Sequence, residues 1–312
     1  MNKLLVTGAN GLIGKEIVNY FSPFFDVYEL DINFHDSNKS EKQIICDITN
    51  PNSINNSLNN VNFDFVIHCA AIAHFSSINK ISREKLYKVN YWGTLNLINY
   101  FNNNPIKYFI FLSSIAVYGE NNSKNPITEE YECNPSSDYG ITKLLAENYL
   151  INNAKFKYSI IRLAPVYSSN YFINIEKRLV PVNLFNKKVY FKIGKGKQLN
   201  SFVDLRNVIH AIDFLVNKNN CFENSIYNIS DNYNYSINDL LNYFKNKRTI
   251  IIKIPRILFN AIYYAAIILF FFKKNRIKSA YYKLTKNNIY DISKINNCGI
   301  YFINSLIKNN ST

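Results

Sequence analysis

The stretch KLLVTGANGLIG, Lys3 to Gly14, decides the fold. Lys3–Thr7 is an apolar run of strand length, and the glycines behind it stand at positions 8, 11 and 14. A helix, Gly14–Tyr20, opens on the last of them. A strand that turns on glycine into a helix suits a pyrophosphate. Gly8 allows the tight turn, Gly11 lets backbone approach the phosphates, and Gly14 lets the helix pack on the strand. The helix start adds open amides and the positive end of its dipole. Gly8, Asn10, Gly11, Leu12, Ile13 and Gly14 are therefore the candidate cofactor turn.

Working outward, Asp26–Leu30, Ile44–Cys46, Asp64–Cys69, Tyr108–Ser113 and Tyr158–Leu163 read as further short apolar strands. Helical patterns at Ser53–Leu58, Arg83–Phe101 and Tyr139–Asn152 fall between them. This alternation predicts a Rossmann-type doubly wound parallel sheet with helices on both faces. Past Ala164 the pattern becomes irregular. Strand-like pieces at Val189–Lys192, Ser201–Val203 and Ile226–Ile229 mix with helical patches at Arg206–Val216 and Ile237–Phe244. The expected division is a nucleotide-binding domain over 1–165 and a smaller C-terminal α/β substrate lobe over 166–312, interleaved with the last strands of the sheet. No Pro/Gly/Ser linker or internal repeat interrupts it.

The chain has 312 residues, 47% of them hydrophobic, enough to fill a sizeable core. Lys and Arg exceed acids by 14, a balance attributed here to the same codon drift that enriches Asn and Ile. Net charge alone supports no nucleic-acid role, since no recognition motif accompanies it. Cys46, Cys69, Cys133, Cys221 and Cys298 are widely spaced, with no CxxC, and read as buried thiols of a reducing compartment. The N-terminus lacks the pattern of a signal peptide, so a cytoplasmic enzyme is expected. The segment 257–272, ILFNAIYYAAIILFFF, meets Lys273 and Lys274. It is short for a bilayer span. It reads either as a buried or dimer-forming helix or as a helix lying in the membrane interface.

Asp31 ends the second strand, where a carboxylate can accept from adenosine ribose hydroxyls and repel a 2′-phosphate. Tyr139-Gly-Ile-Thr-Lys143 sets Tyr and Lys four apart on one helical face. A nearby ammonium is expected to lower the phenol toward use as a base. Ser114 follows a buried strand and could orient the reacting oxygen toward Tyr139, with Ser113, at the strand's end, the competing candidate. His68 and His74 stand six apart with no third ligand, so no metal is expected.

Together these residues resemble the extended short-chain dehydrogenase/reductases, the NAD-dependent epimerase/dehydratase family. DFVIHCAA (64–71), CDI (46–48), VNYWGTLNLI (89–98), IIRLAPVY (160–167), SFVDLRNVIHAI (201–212) and IYNIS (226–230) resemble family segments in order. The resemblance implies NAD as cofactor, with Asp47, Ile48, Ala70, Ala71 and Asn90 beside it. Asn90 fills a position that is structural or cofactor-contacting. It implies Ser114, rather than Ser113, with Tyr139 and Lys143 as the catalytic group, and Lys143 gripping the nicotinamide ribose. A homodimer is the family habit.

Family dehydratases carry Asp-Glu where Ile115 and Ala116 stand here, which argues against water elimination. The expectation is an NAD-dependent nucleotide-sugar 4-epimerase acting on a UDP- or dTDP-linked sugar in polysaccharide precursor synthesis. The alternatives are an NAD(P)H-dependent 4-keto-sugar reductase and a non-catalytic NAD-binding module. Pro165 replaces a frequent Asn and Asn200 lies near a frequent Arg, with Arg206 a candidate substitute for phosphate pairing.

Overall fold

The computed structural model describes residues 1–34, 40–73, 81–120, 123, 125–218, 224–304 and 306, without the side chains of 275 and 276. In chain order the first elements are β1 (Lys3–Thr7), α1 (Leu12–Phe21), β2 (Asp26–Asp31), β3 (Gln43–Ile45), α2 (Pro51–Leu58) and β4 (Phe65–His68). There follow α3 (Arg83–Tyr87), a π-helical turn (Lys88–Gly93), α4 (Thr94–Asn103), β5 (Tyr108–Ser114), a 3₁₀ turn (Ile115–Tyr118), α5 (Asp138–Asn153) and β6 (Tyr158–Leu163). The remainder holds β7 (Val166–Tyr167), α6 (Ile173–Glu176), β8 (Val182–Leu184), β9 (Lys187–Ile193), β10 (Leu199–Asn200), β11 (Val203–Asp204) and α7 (Leu205–Asn217). It closes with β12 (Ser225–Ile229), β13 (Tyr235–Ser236), α8 (Ile237–Phe244), β14 (Thr249–Ile254), α9 (Arg256–Leu269), α10 (Lys274–Thr285) and α11 (Ser293–Asn296).

One compact unit comprises 1–119, 132–163 and 209–227; the other comprises 120–131, 164–208 and 228–312. The first carries a seven-stranded sheet in the order β12–β6–β5–β4–β1–β2–β3, parallel at every pairing from β6 to β3. The order reverses at β1, the kind of switch point beside which ligands bind at the carboxyl ends of strands in such sheets. Helices cover both faces of such a sheet, which is why β4 and β6 are buried along their whole length. Leu5, Val66, Phe109 and Ile160 from the strands meet Leu97 and Phe101 of α4 and Ala146 and Leu150 of α5 in one core. Each such side chain stabilises by about 1.5–3 kcal/mol when fully buried.

In the second unit Tyr167, Phe202, Tyr235, Leu240 and Leu241 form a separate core. Asp231 ties it together. Its carboxylate accepts from the Tyr167 and Tyr235 hydroxyls at 2.6 and 2.8 Å, and from Asp204 N–H and Asn207 Nδ2 at 2.8 and 2.7 Å. A three-stranded sheet, β14–β9–β8, stands apart from these short ladders.

Three expectations change. The single helix over Arg83–Phe101 is two helices joined by the π turn that carries Asn90. Of the strand expected over Ser201–Val203 only Val203 is in a strand, as the start of β11, paired with β7, while β10, paired with β13, ends at Asn200. The buried-helix reading of 257–272 is overturned: α9 ends at Leu269 and contains no buried residue.

Candidate active site

The glycine turn is held from beneath. A methyl group on Gly14 would stand 2.1 Å from the Gly8 carbonyl, and one on Gly8 would stand 2.7 Å from the backbone of Ala70. The turn after β1 therefore approaches the end of β4 because Gly8 lacks a side chain, and α1 packs on that turn because Gly14 lacks one. Gly11 precedes α1 and no side chain caps this helix, so its first amides face the turn's own concavity. Leu12 is exposed and Ile13 half-buried at its rim. Asn10 N–H donates to Asp31 Oδ2 at 2.9 Å, and Ile32 N–H donates to Oδ1 at 2.7 Å. Asp31 thus latches the turn while keeping lone pairs for another donor.

A buried hydrogen-bond relay runs inward from the same turn. Thr94 Oγ1 donates to the Asn90 carbonyl at 2.9 Å, so it must accept from His68 Nε2–H at 2.9 Å. Nδ1 is then the acceptor for the Thr7 hydroxyl at 2.6 Å, and Thr7 in turn accepts from Ala70 N–H at 3.3 Å. Burial pushes His68 down to about 3, with the Lys143 charge adding to the effect, so the ring is neutral. Asn90 Oδ1 accepts from Ile72 N–H at 2.7 Å, and its Nδ2 donates to Ile72 O at 3.1 Å and Thr142 Oγ1 at 3.4 Å. Asn90 is fully buried, so its side chain acts by fixing the 70–72 loop against α5. Ala70 and Ala71 lie half-exposed on that loop. Ile48 is buried, and its carbonyl accepts from Asn96 at 3.0 Å; Asp47 accepts from Thr49 N–H at 2.9 Å.

Ser114 and Tyr139 meet because of Gly140. A methyl group there would lie 2.5 Å from the Ala116 carbonyl, so the start of α5 can press onto the 3₁₀ turn that follows Ser114. Ser137 caps α5 by accepting from Gly140 N–H at 3.1 Å, which sets the helix to begin just before Tyr139. The Ser114 hydroxyl accepts from Ala116 N–H at 3.2 Å and stands near enough to the Tyr139 phenol to act on its acidity. Burial raises the Tyr139 phenol to about 12, and Ser114 offsets this only in part. The expected lowering of the phenol by Lys143 is not seen. The Lys143 ammonium instead donates to the Leu112 carbonyl at 2.7 Å and lies 4.6 Å over the Phe111 ring. Burial lowers it to about 8, against the opposing pull of Cys69 and Glu147.

Sequence reasoning missed what stands behind this pair. Glu147, one turn beyond Lys143, is fully buried and forms an ion pair with Arg162 at 2.7 Å. Ser113 donates to the same carboxylate. Arg162 donates to the Tyr118 hydroxyl at 2.9 Å. The competing serine therefore anchors β5 to α5 while Ser114 faces Tyr139. The i, i+4, i+8 spacing of Tyr139, Lys143 and Glu147 was the available signal.

The sequence model of the NAD dependent epimerase/dehydratase family matches residues 4–230. The chain belongs to that family. It is 29% identical over 241 residues to a UDP-glucose 4-epimerase of Vibrio cholerae, covering 75% of this chain and 72% of that protein. It is 28% identical over 258 residues to a putative UDP-glucose 4-epimerase of Methanocaldococcus jannaschii, covering 78% and 82%. The solved UDP-glucose 4-epimerase of Thermotoga maritima with UDP-glucose shares the fold, with a TM-score of 0.70 at 22% identity over 97% of this chain and 94% of that one. As a member of the NAD dependent epimerase/dehydratase family the chain is an NAD-dependent enzyme. The side-chain-free glycine cradle and uncapped α1 fit the dinucleotide's phosphates.

Other expected residues fall as follows. Arg206 lays its guanidinium fork on Asp204 at 2.9 and 3.0 Å. Asn200 is fully buried, its Nδ2 donating to Gln198 O at 3.3 Å. His74 and Cys221 lie outside the described residues. Among the described residues, no three His, Cys, Asp or Glu cluster as metal ligands.

Proposed function

We propose that this enzyme is an NAD-dependent nucleotide-sugar 4-epimerase, with Ser114, Tyr139 and Lys143 as the catalytic group. The observation that carries the reading is the Ser114 hydroxyl beside the Tyr139 phenol, with the buried Lys143 one turn along. Gly8, Asn10, Gly11, Leu12, Ile13, Gly14, Asp31, Asp47, Ile48, Ala70 and Ala71 would hold NAD, with Asn90 supporting the loop. When bound, NAD would supply the hydride acceptor and donor. Tyr139, held protonated by burial, would exchange its proton with a sugar hydroxyl oriented by Ser114. Lys143 would supply positive charge beneath the ribose. Ile115 and Ala116 have no proton to exchange, which favours epimerisation or keto-reduction over dehydration.

The reading includes a homodimer, checked by sedimentation velocity, and membrane contact through 257–272 in the cytoplasm. Among the described residues no helix is long and apolar enough to cross a membrane. The deciding experiment denatures the purified enzyme, identifies any released dinucleotide, and assays UDP- and dTDP-sugars. Retained NAD and interconversion of C4 epimers are expected. Turnover only of a 4-keto-sugar with added NADH or NADPH would replace the epimerase by the reductase.

A further inference from the structure

The positive charge of this chain is segregated. Residues 177–203 hold seven Lys or Arg and no acid, and residues 240–290 hold eleven and no acid. The rest of the chain has 18 basic and 22 acidic residues, so it is net negative. A uniform codon drift toward lysine does not produce this pattern. The two acid-free segments are also brought together, because β9 and β14 pair in parallel over six residues.

The same elements expose apolar side chains. Val182 and Ile250 both register on Val189, and Ile252 registers on Phe191. Strand alternation then sets Val182, Leu184, Ile250 and Ile252 on one face, all four exposed, while Tyr190 faces the core. The hairpin tip is Phe185–Asn186, with φ of 44° and 60°. A phenylalanine in the left-handed region, 91% exposed, costs the fold energy and gains it no packing. β14 leads through Pro255 into α9. There Phe259 and Tyr263 stack on Tyr281 of α10, at 6.0 and 4.0 Å between centroids. The rest of α9 leaves Ile257, Leu258, Ile262, Ile268 and Leu269 exposed, followed by exposed Phe270–Phe272 and then Lys273 and Lys274.

We propose that the outer face of the β14–β9–β8 sheet and α9 form one docking surface for an anionic lipid bilayer. This deepens the membrane contact read above for 257–272 and is independent of the sugar turned over. Fourteen residues of α9 span roughly 21 Å, short of a hydrocarbon core of about 30 Å, so the helix lies in the interface plane. Its aliphatic and phenylalanine side chains enter the acyl boundary. Lysines reach back to the headgroups. Nucleic acid would use the charge and leave the aliphatic side chains in water. A lipid surface uses both.

The test is co-sedimentation of the full chain with vesicles of phosphatidylcholine alone or mixed equally with phosphatidylglycerol. We expect about tenfold more protein on the anionic vesicles, falling as salt is raised. The double variant Ile268→Asp/Leu269→Asp should lose about tenfold of that binding, and Lys273→Glu/Lys274→Glu should lose the anionic preference. Both should keep wild-type NAD content and turnover. No vesicle binding at low salt, equal binding by wild type and variants, or self-association through these residues without vesicle uptake would overturn the proposal. Because binding is measured without substrate, its failure is separable from failure of the epimerase reading.

Discussion

Over its 16 residues α5 buries Thr142, Lys143 and Glu147, whereas α9, with 14 residues, buries nothing and turns isoleucines and leucines to the surface. The two helices depart from the ordinary partition of side chains in opposite directions. In α5 the buried charges have partners: Lys143 has Leu112 O and the Phe111 ring, and Glu147 has Arg162 and Ser113. In α9 no residue is buried, and its stacked aromatic contacts run to Tyr281 of α10. Desolvated charge shapes proton chemistry, and exposed apolar surface recruits something outside the chain.

The largest way to break this contrast is Glu147→Gln, which strands the Arg162 charge in the core. A loss of roughly 3–5 kcal/mol is expected in urea unfolding. A loss below about 1 kcal/mol would mean the pair is solvated in solution. Next is acid. An unfolded histidine takes up a proton below 6.5, but buried His68 does so only near 3. The unfolded chain then binds more protons across that window, so stability falls as pH falls, by on the order of 4 kcal/mol. Unfolding measured between pH 7 and 4 should steepen for wild type and flatten for His68→Gln.

Third, Tyr139→Phe should cut turnover roughly 10²-fold or more while retaining NAD. Near-normal rates would remove the assigned role. In the wild type, turnover should decline as pH rises through about 8, where Lys143 loses its charge. The smallest effect is on α9: Ile268→Ser should change unfolding stability by no more than about 0.5 kcal/mol, because Ile268 is 78% exposed. A loss of several times that would show the helix buried in a larger assembly.

The seven-stranded sheet was legible because its signals are local. β1 and β6 match the apolar runs Lys3–Thr7 and Tyr158–Leu163 residue for residue, and α5 begins one residue before Tyr139. The Ser114–Tyr139 pairing was also readable, since Gly140 sits inside the motif that names it. The relay through Thr7, His68 and Thr94 was not, because it joins residues 61 and 26 positions apart. The phenol's acidity was misjudged for a related reason. The i, i+4 spacing predicts proximity to an ammonium, but burial and the Leu112 carbonyl decide where that ammonium points. β14 was missed although TIIIKI is rich in β-branched residues, because its partner β9 lies some sixty residues away. The exposure of α9 runs against every rule that sends a 16-residue apolar segment inward.

The Asp31 latch has a consequence for altering cofactor choice. Its two oxygens hold the amides of Asn10 and Ile32. Exchanging this carboxylate for a neutral or basic side chain, to welcome a phosphorylated ribose, would also release the loop proposed to cradle the diphosphate. A swap of dinucleotide preference at this position alone should therefore yield a weak binder of both forms. A second substitution must restore an acceptor for the freed amides.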